Sequence, residues 1–207
     1  MELLLVRHAL PIRRELVDGP ADPELSANGH AQAEHLATYL SSEHLDAIYA
    51  SPLRRARQTA EAVATRHDLD VQVSDGVAEF DRLSNDYIPT EELKAANDPR
   101  YHAMINGEWD TDEETSDEFR ARAVQTIEEL IEAHPAQRIA VVCHGGVING
   151  YIGHVLGLTG SRGFFYPNYT SINRIAAARG GTRTVVTINE TSHLRGTGLP
   201  MGLFQVQ

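Results

Sequence analysis

Two histidines and an arginine stand where short apolar runs stop. Arg7-His8 follows Leu3-Leu4-Leu5-Val6, and His144 follows Ile139-Ala140-Val141-Val142-Cys143. A run this short, ending in polar residues and a turn, predicts a buried strand that delivers its last side chains to the carboxyl edge of a sheet. That edge is where α/β proteins hold their ligands. Two strands distant in sequence thus present one imidazole each to a common crevice, with a guanidinium beside the first. A guanidinium fork matches phosphate oxygens and a neutral imidazole can act as nucleophile or base, so the combination suits phosphate better than a metal ion.

A metal centre finds little support elsewhere in the chain. It has ten histidines, but His30 and His35 are five apart, about 140° around a helix, and do not share a face. No HExxH or cysteine-pair pattern is present. Neither a metal nor an organic cofactor is implied.

The elements that position these residues follow from periodicity. After the first strand comes a loop rich in Pro, Asp and Gly over residues 11–23. Ser26 can cap a helix whose Gln32, Ala33, Leu36, Ala37 and Leu40 recur at threes and fours. Residues 46–50 read as a strand, 53–66 as a helix with Ala56, Thr59, Ala60, Val63 and Ala64 inward, and 70–73 as a short strand. Several arginines crowd the first turn of that helix, against its dipole, which predicts a compensating anion. Residues 116–133 form a long amphipathic helix before the His144 strand, and Gly145-Gly146 opens another to about residue 156. Residues 171–178 and 184–189 read as a hairpin.

Strands alternating with helices give an α/β fold, a three-layer sandwich whose mostly parallel central sheet carries helices on both faces. Over 81–115 the periodicity fails, and Pro89, Pro99, Asn106-Gly107 and many acids mark an excursion that folds over the site as a cap or lid. Carboxylates there, with Glu108, Asp110, Asp112, Glu113 and Glu114 around Trp109, would repel anionic leaving groups; ordinary solvated surface explains them equally. The 207 residues suit a single domain over 1–207. A net charge of -11 argues against a nucleic-acid binder, which needs a basic stripe. The lone Cys143 lies in an apolar strand as a buried thiol. No stretch reaches the roughly 20 apolar residues of a membrane span and no signal pattern is present, so the expectation is a cytoplasmic protein without membrane contact. The tail over 191–207 fits either a lid or a homodimer contact.

Several blocks then combine: Leu5-Val6-Arg7-His8, Leu25-Ser26-Ala27-Asn28-Gly29, Ser51-Pro52-Leu53-Arg54-Arg55-Ala56-Arg57-Gln58-Thr59-Ala60, Glu79, and Val142-Cys143-His144-Gly145-Gly146. In this order they resemble the histidine phosphatase superfamily, also called phosphoglycerate-mutase-like. The resemblance implies a phosphoglycerate-mutase-like fold and phosphomonoester hydrolysis through a phosphohistidine. It makes His8 the nucleophile, has His144, Arg7 and Arg55 hold the phosphoryl group, and makes Glu79 the proton donor. Gly145 at a helix start offers a backbone N–H to a phosphate oxygen. Asp81, one strand period beyond Glu79, is a rival donor. Arg14, in the loop after His8, is retained as a candidate phosphate contact, and Ser51 is read either as a pocket hydrogen-bonder or as a helix cap. Nearby guanidinium charges disfavour protonated imidazole, so Arg7 and Arg55 should keep His8 neutral in the empty site.

The chain departs from the family pattern at Ala9, where Gly is usual, and at Leu10-Pro11, which replace polar residues. Ala9 loses access to positive φ. Two other readings stand beside phosphatase: a phosphoglycerate mutase, for which the chain is short of an extended lid, and a catalytically weak phosphate-binding or scaffold protein, suggested by Ala9. The partner implied is a small-molecule phosphomonoester.

Overall fold

The computed structural model describes residues 1–106, 110–158 and 163–203. In chain order the elements are β1 (Glu2–Arg7), β2 (Arg14–Glu15), α1 (Ala27–Leu40), β3 (Ala47–Ala50), α2 (Arg54–His67), β4 (Val71–Val73), β5 (Asp86–Tyr87), α3 (Thr90–Ala95), α4 (Pro99–Asn106), α5 (Ser116–Ala133), β6 (Arg138–Cys143), α6 (Gly145–Val155), β7 (Ile172–Ala177) and β8 (Arg183–Glu190). The main sheet has the order β4-β3-β6-β1-β7-β8. Its first four strands are mutually parallel, while β7 and β8 run antiparallel as the predicted hairpin.

Alternation along β1 and β6 divides the core into two layers. Leu3, Leu5, Ile139, Val141 and Cys143 face α5 and α6, packing on Phe119, Ala123, Ile127, Ile148 and Ile152. Leu4, Val6, Ala140 and Val142 face α1 and α2, packing on Leu36, Leu40, Ala60 and Val63. Buried on both faces, these strands show the unbroken apolar runs of a covered parallel sheet. The result is the expected three-layer α/β sandwich. Residues Leu5 and Val141 pair in register, as do Arg7 and Cys143, so β1 and β6 end side by side. Their next residues, His8 and His144, therefore emerge together.

The segment between β1 and α1 is tied down by backbone contacts. Ser26 caps α1 by accepting from the Gly29 N–H at 3.0 Å, and its own hydroxyl and N–H both donate to the Leu10 carbonyl. A Cβ on Gly29 would drive into that same carbonyl oxygen. In an open helix, Gly→Ala adds about 1 kcal/mol of stability. Here overpacking costs roughly 1–3 kcal/mol and wins. Gly29→Ala is expected to lower Tm, and calorimetry on the pure variant checks the sign.

Arginines at the start of α2 do find their anions. Leu53 offers no side-chain cap, and the Asp22 carboxylate accepts instead from the Arg54 N–H at 2.8 Å. Glu24 pairs with Arg54 at 2.9 Å and Asp81 with Arg55 at 3.2 Å.

The excursion after residue 81 contains more order than periodicity suggests. β5 pairs antiparallel with β2, and the short α3 and α4 follow. Neither helix offers a long apolar stripe, which is why their sequences do not announce them. The start of α5 is fixed by a capping box between Thr115 and Glu118. Among the described residues no helix is long and apolar enough to cross a membrane.

Candidate active site

Arg7 closes β1 and His8 follows, both almost fully buried. The backbone around them is held by hydrogen bonds from the Arg7 N–H to the Ser171 carbonyl and from the His8 N–H to the Cys143 carbonyl. His8 places Nδ1 2.7 Å from the carbonyl oxygen of Ala9. A carbonyl can only accept, so Nδ1 carries the proton and Nε2 is left with its lone pair. His144 lies beside it, with ring centroids 5.1 Å apart and planes inclined at 56°. The His144 Nε2 sits 2.7 Å from the Ser51 hydroxyl, which also accepts from the Leu53 N–H.

Two guanidinium groups flank the imidazoles. Arg7 donates from Nη1 to the Pro167 carbonyl at 2.7 Å and lies over the Tyr169 and Tyr166 rings, at 4.2 and 4.9 Å. Arg55, in the first turn of α2, lies 4.6 Å from the centre of the Tyr87 ring. The buried Nε atoms of both arginines and Nδ1 of His144 have no hydrogen-bond partner among the described residues. Burying polar groups unsatisfied is costly unless a ligand completes them. Burial, with the charges of Arg55 and Arg7, holds the His8 pKa well below that of ordinary imidazole. Burial and Arg55 act likewise on His144.

A carboxyl group completes the cluster. Glu79 is buried and accepts from the Gly146 N–H at 2.8 Å and the Phe80 N–H at 3.2 Å. Burial and the neighbouring charge of Asp81 push its pKa up to about 7, against the opposing pull of those N–H groups and Arg55. A Cβ on Gly146 would collide with the Glu79 carboxyl, so the second glycine of Gly145-Gly146 is a packing requirement. From the other side, Arg122 on α5 donates to the carbonyls of Gly76 and Ala78, pinning the turn that presents Glu79. Arg7, His8, Arg55, Glu79, Asp81, Gly145 and Gly146 line one cavity of about 530 Å³.

The profile of the histidine phosphatase superfamily (branch 1) matches residues 3–191. The chain belongs to that superfamily. This histidine phosphatase is 30% identical over 164 residues to the adenosylcobalamin/alpha-ribazole phosphatase of Escherichia coli, covering 76% of this chain and 80% of the relative. It is 45% identical to phosphoserine phosphatase 1 of Hydrogenobacter thermophilus, but over only 85 residues, 39% of either chain. Among solved structures, a mutant phosphoserine phosphatase of Entamoeba histolytica in complex with phosphoserine superposes with a TM-score of 0.73 at 26% identity. That match covers 93% of this chain and 98% of the other. The enzyme is a phosphatase of the phosphoglycerate-mutase-like fold.

The structure does not bring every residue singled out in the sequence into the site of this histidine phosphatase. Arg14 is absent from the cavity wall and pairs with Glu24 at 3.1 Å on the β2 ribbon. That pairing engages the Arg14 guanidinium away from the wall formed by Arg7, His8 and Arg55. The acids of the excursion also serve elsewhere. Glu114 binds Arg82 and Arg122, both at 2.7 Å, and these hold its pKa down to about 2. Asp110 accepts from the N–H of Ser116 at the start of α5. Neither lines the cavity, and Glu108 and Trp109 lie outside the described residues. The field expected over the pocket from these carboxylates therefore does not arise from Asp110 or Glu114.

Ser51 touches His144 rather than capping α2, whose N-cap is Leu53. Ala9 has no positive φ, so its methyl costs nothing in backbone strain. It packs on Leu25 and Ala33, while its N–H donates to Thr59 at 2.9 Å. That contact explains the threonine of the Gln58-Thr59-Ala60 block. Tyr87, Tyr166 and Tyr169 were not legible as site residues, because each reaches the arginines from a segment remote in sequence. The tail also takes part: Met201 accepts from the Tyr169 N–H, and Leu203 lines the cavity. Residues 204–207 lie outside the described residues. No group of three or more His, Cys, Asp or Glu among the described residues is arranged to hold a metal ion.

Proposed function

We propose that the enzyme hydrolyses small phosphomonoesters through a phosphohistidine on His8, with Arg7, Arg55, His144 and the Gly145 N–H holding the phosphoryl oxygens and Glu79 moving the proton. The observation that carries this reading is the His8 ring, whose Nδ1–H is committed to the Ala9 carbonyl, beside a second buried imidazole and between two guanidiniums.

In the first half-reaction the Nε2 lone pair of His8 attacks phosphorus as the P–O bond to the leaving group breaks. The departing oxygen takes a proton from Glu79 and leaves as an alcohol. In the second, the Glu79 carboxylate removes a proton from water, whose oxygen attacks phosphorus. The N–P bond breaks, its electron pair returns to Nε2, and phosphate is released with Glu79 again protonated. Splitting the hydrolysis replaces one hard step by two easier ones. Charge spread over the phosphoryl oxygens meets fixed cations that need no reorganisation.

A pKa near 7 suits both duties of Glu79, since a group that donates and then accepts works best close to the operating pH. Asp81 is less suited, because its carboxylate is paired with Arg55 at 3.2 Å. The active nucleophile needs no positive φ at position 9, which removes the backbone argument for an inactive scaffold.

The test is direct. Enzyme quenched during turnover of a phosphorus-labelled substrate is expected to carry label on His8, located by mass spectrometry under alkaline handling. Label on any other residue overturns the assignment.

A further inference from the structure

The phosphoryl cradle accounts for only part of the cavity lining, and nothing in the mechanism uses the rest. The rest of that lining includes Ile88, Leu93, Tyr101, Ile105, Phe164 and Phe165. α4 contributes no buried residue to the protein, although Tyr101 and Ile105 on it line the cavity. Ile105 is 44% and Phe164 39% exposed. Scattered single apolar residues on a surface need no explanation, but apolar side chains converging on a concave wall mark a binding site. The wall is continuous with the cradle, so its occupant is whatever is esterified to the phosphoryl group.

Charge on this wall points the same way. Arg100 is the lining cation outside the cradle among the described residues, and its N–H groups are committed to acids. Nε and Nη2 donate to Asp98 at 2.9 and 2.8 Å, and Nη1 donates to Asp86 at 2.5 Å. Of these acids Asp86 also lines the cavity, so Arg100 brings its own counter-charge to the wall. A leaving group bearing a carboxylate or a second phosphate would find, among the described lining residues, Arg100 already paired and Arg7 and Arg55 taken up with the phosphoryl group, and such mismatches discriminate strongly between ligands.

We propose that the substrate's leaving group is an uncharged apolar alcohol carrying a ring or a branched chain, seated against α4 and the Phe164-Phe165 segment. This rests on the phosphomonoesterase reading above and adds the substrate class to it. A cavity of about 530 Å³ has room for such a group besides the phosphoryl group. The apolar seat supplies binding energy remote from phosphorus, which the enzyme can use to orient the ester for attack.

The experiment compares kcat/KM for 2-phenylethyl phosphate with that for phosphoserine and 3-phosphoglycerate. All three expel an unactivated alcohol oxygen, so preference reports on the seat rather than on leaving-group acidity. 2-Phenylethyl phosphate is expected to exceed both by about tenfold or more, the scale on which apolar pockets discriminate. Ile105→Asp and Phe164→Asp, at exposed positions that tolerate a charge, are expected to lower that kcat/KM roughly tenfold, mainly through KM. Inhibition by inorganic phosphate, which needs only the cradle, should stay within about twofold. Equal or better use of phosphoserine or 3-phosphoglycerate overturns the apolar seat and leaves the phosphatase reading intact. So does an unchanged kcat/KM in both variants. Absence of phosphate release from all three esters would instead overturn the phosphatase reading, and the seat with it.

Discussion

His8→Ala is expected to lower turnover of p-nitrophenyl phosphate by about 10⁴-fold or more, the scale of removing a nucleophile that works as part of a unit. Aryl phosphates test this best, because their oxygen departs without help and the loss then reports on attack at phosphorus. The variant keeps its cations: Arg7 remains bound to the Pro167 carbonyl between Tyr166 and Tyr169, and Arg55 remains against Tyr87 and Asp81. Binding of inorganic phosphate should therefore survive, within about tenfold, since truncation removes no charge from a ring that is neutral in the free enzyme. Calorimetric titration with phosphate measures that term separately. Retention of even about 1% of the activity would exclude His8 as nucleophile, because the remaining groups only bind and polarise.

The separation between binding and attack follows from how the sheet places its last residues. β1 and β6 are read from the sequence as unbroken apolar runs, and parallel pairing in register makes His8 and His144 neighbours. α1, α2 and α5 are equally legible from their apolar faces, and Ser26 and Gly145-Gly146 mark the starts of α1 and α6. What fails to show in the sequence has a common physical cause. β2 and β5 are two-residue strands, and α4 buries none of its side chains, so neither leaves a periodic trace. Ion pairing is likewise a three-dimensional choice. Arg14 and Arg55 both sit in polar surroundings in the sequence, yet one meets Glu24 on the ribbon and the other is buried beside Tyr87. The same holds for the acids near residue 114, which look like a field over the pocket and are consumed by Arg82, Arg122 and a helix start. Glu79 is intermediate. Its position in a weak motif identifies it, but only the Gly146 N–H and the absent Cβ there explain why a carboxyl fits beside the cradle.

Glu79→Gln is expected to reduce kcat/KM for alkyl phosphates by roughly 10²–10⁴-fold, the usual contribution of a positioned acid, and that for aryl phosphates far less. An alkoxide is too basic to leave unprotonated, whereas a nitrophenolate is not, so the contrast isolates proton donation from binding. Glutamine keeps the shape and can still meet one of the N–H groups of Phe80 and Gly146, but it has no proton to give. The pH profile offers a second readout with a definite sign. Glu79 must be protonated for the first step, and its carboxyl is held at about 7 by burial and Asp81. The wild-type kcat/KM for an alkyl phosphate should therefore fall as pH rises past about 7, and this alkaline limb should vanish in the glutamine variant. His8 sets no limb near neutrality, because burial with Arg55 and Arg7 keeps its pKa well below the usual imidazole value. Substrate ionisation near pH 6 controls the acid side instead. Bound phosphoryl charge favours the protonated carboxyl, so the limb in kcat should lie above the limb in kcat/KM. Equal losses on alkyl and aryl esters, with the alkaline limb unchanged, would transfer the proton to another group, and Asp81 in the wall of the same cavity would be the residue to replace next.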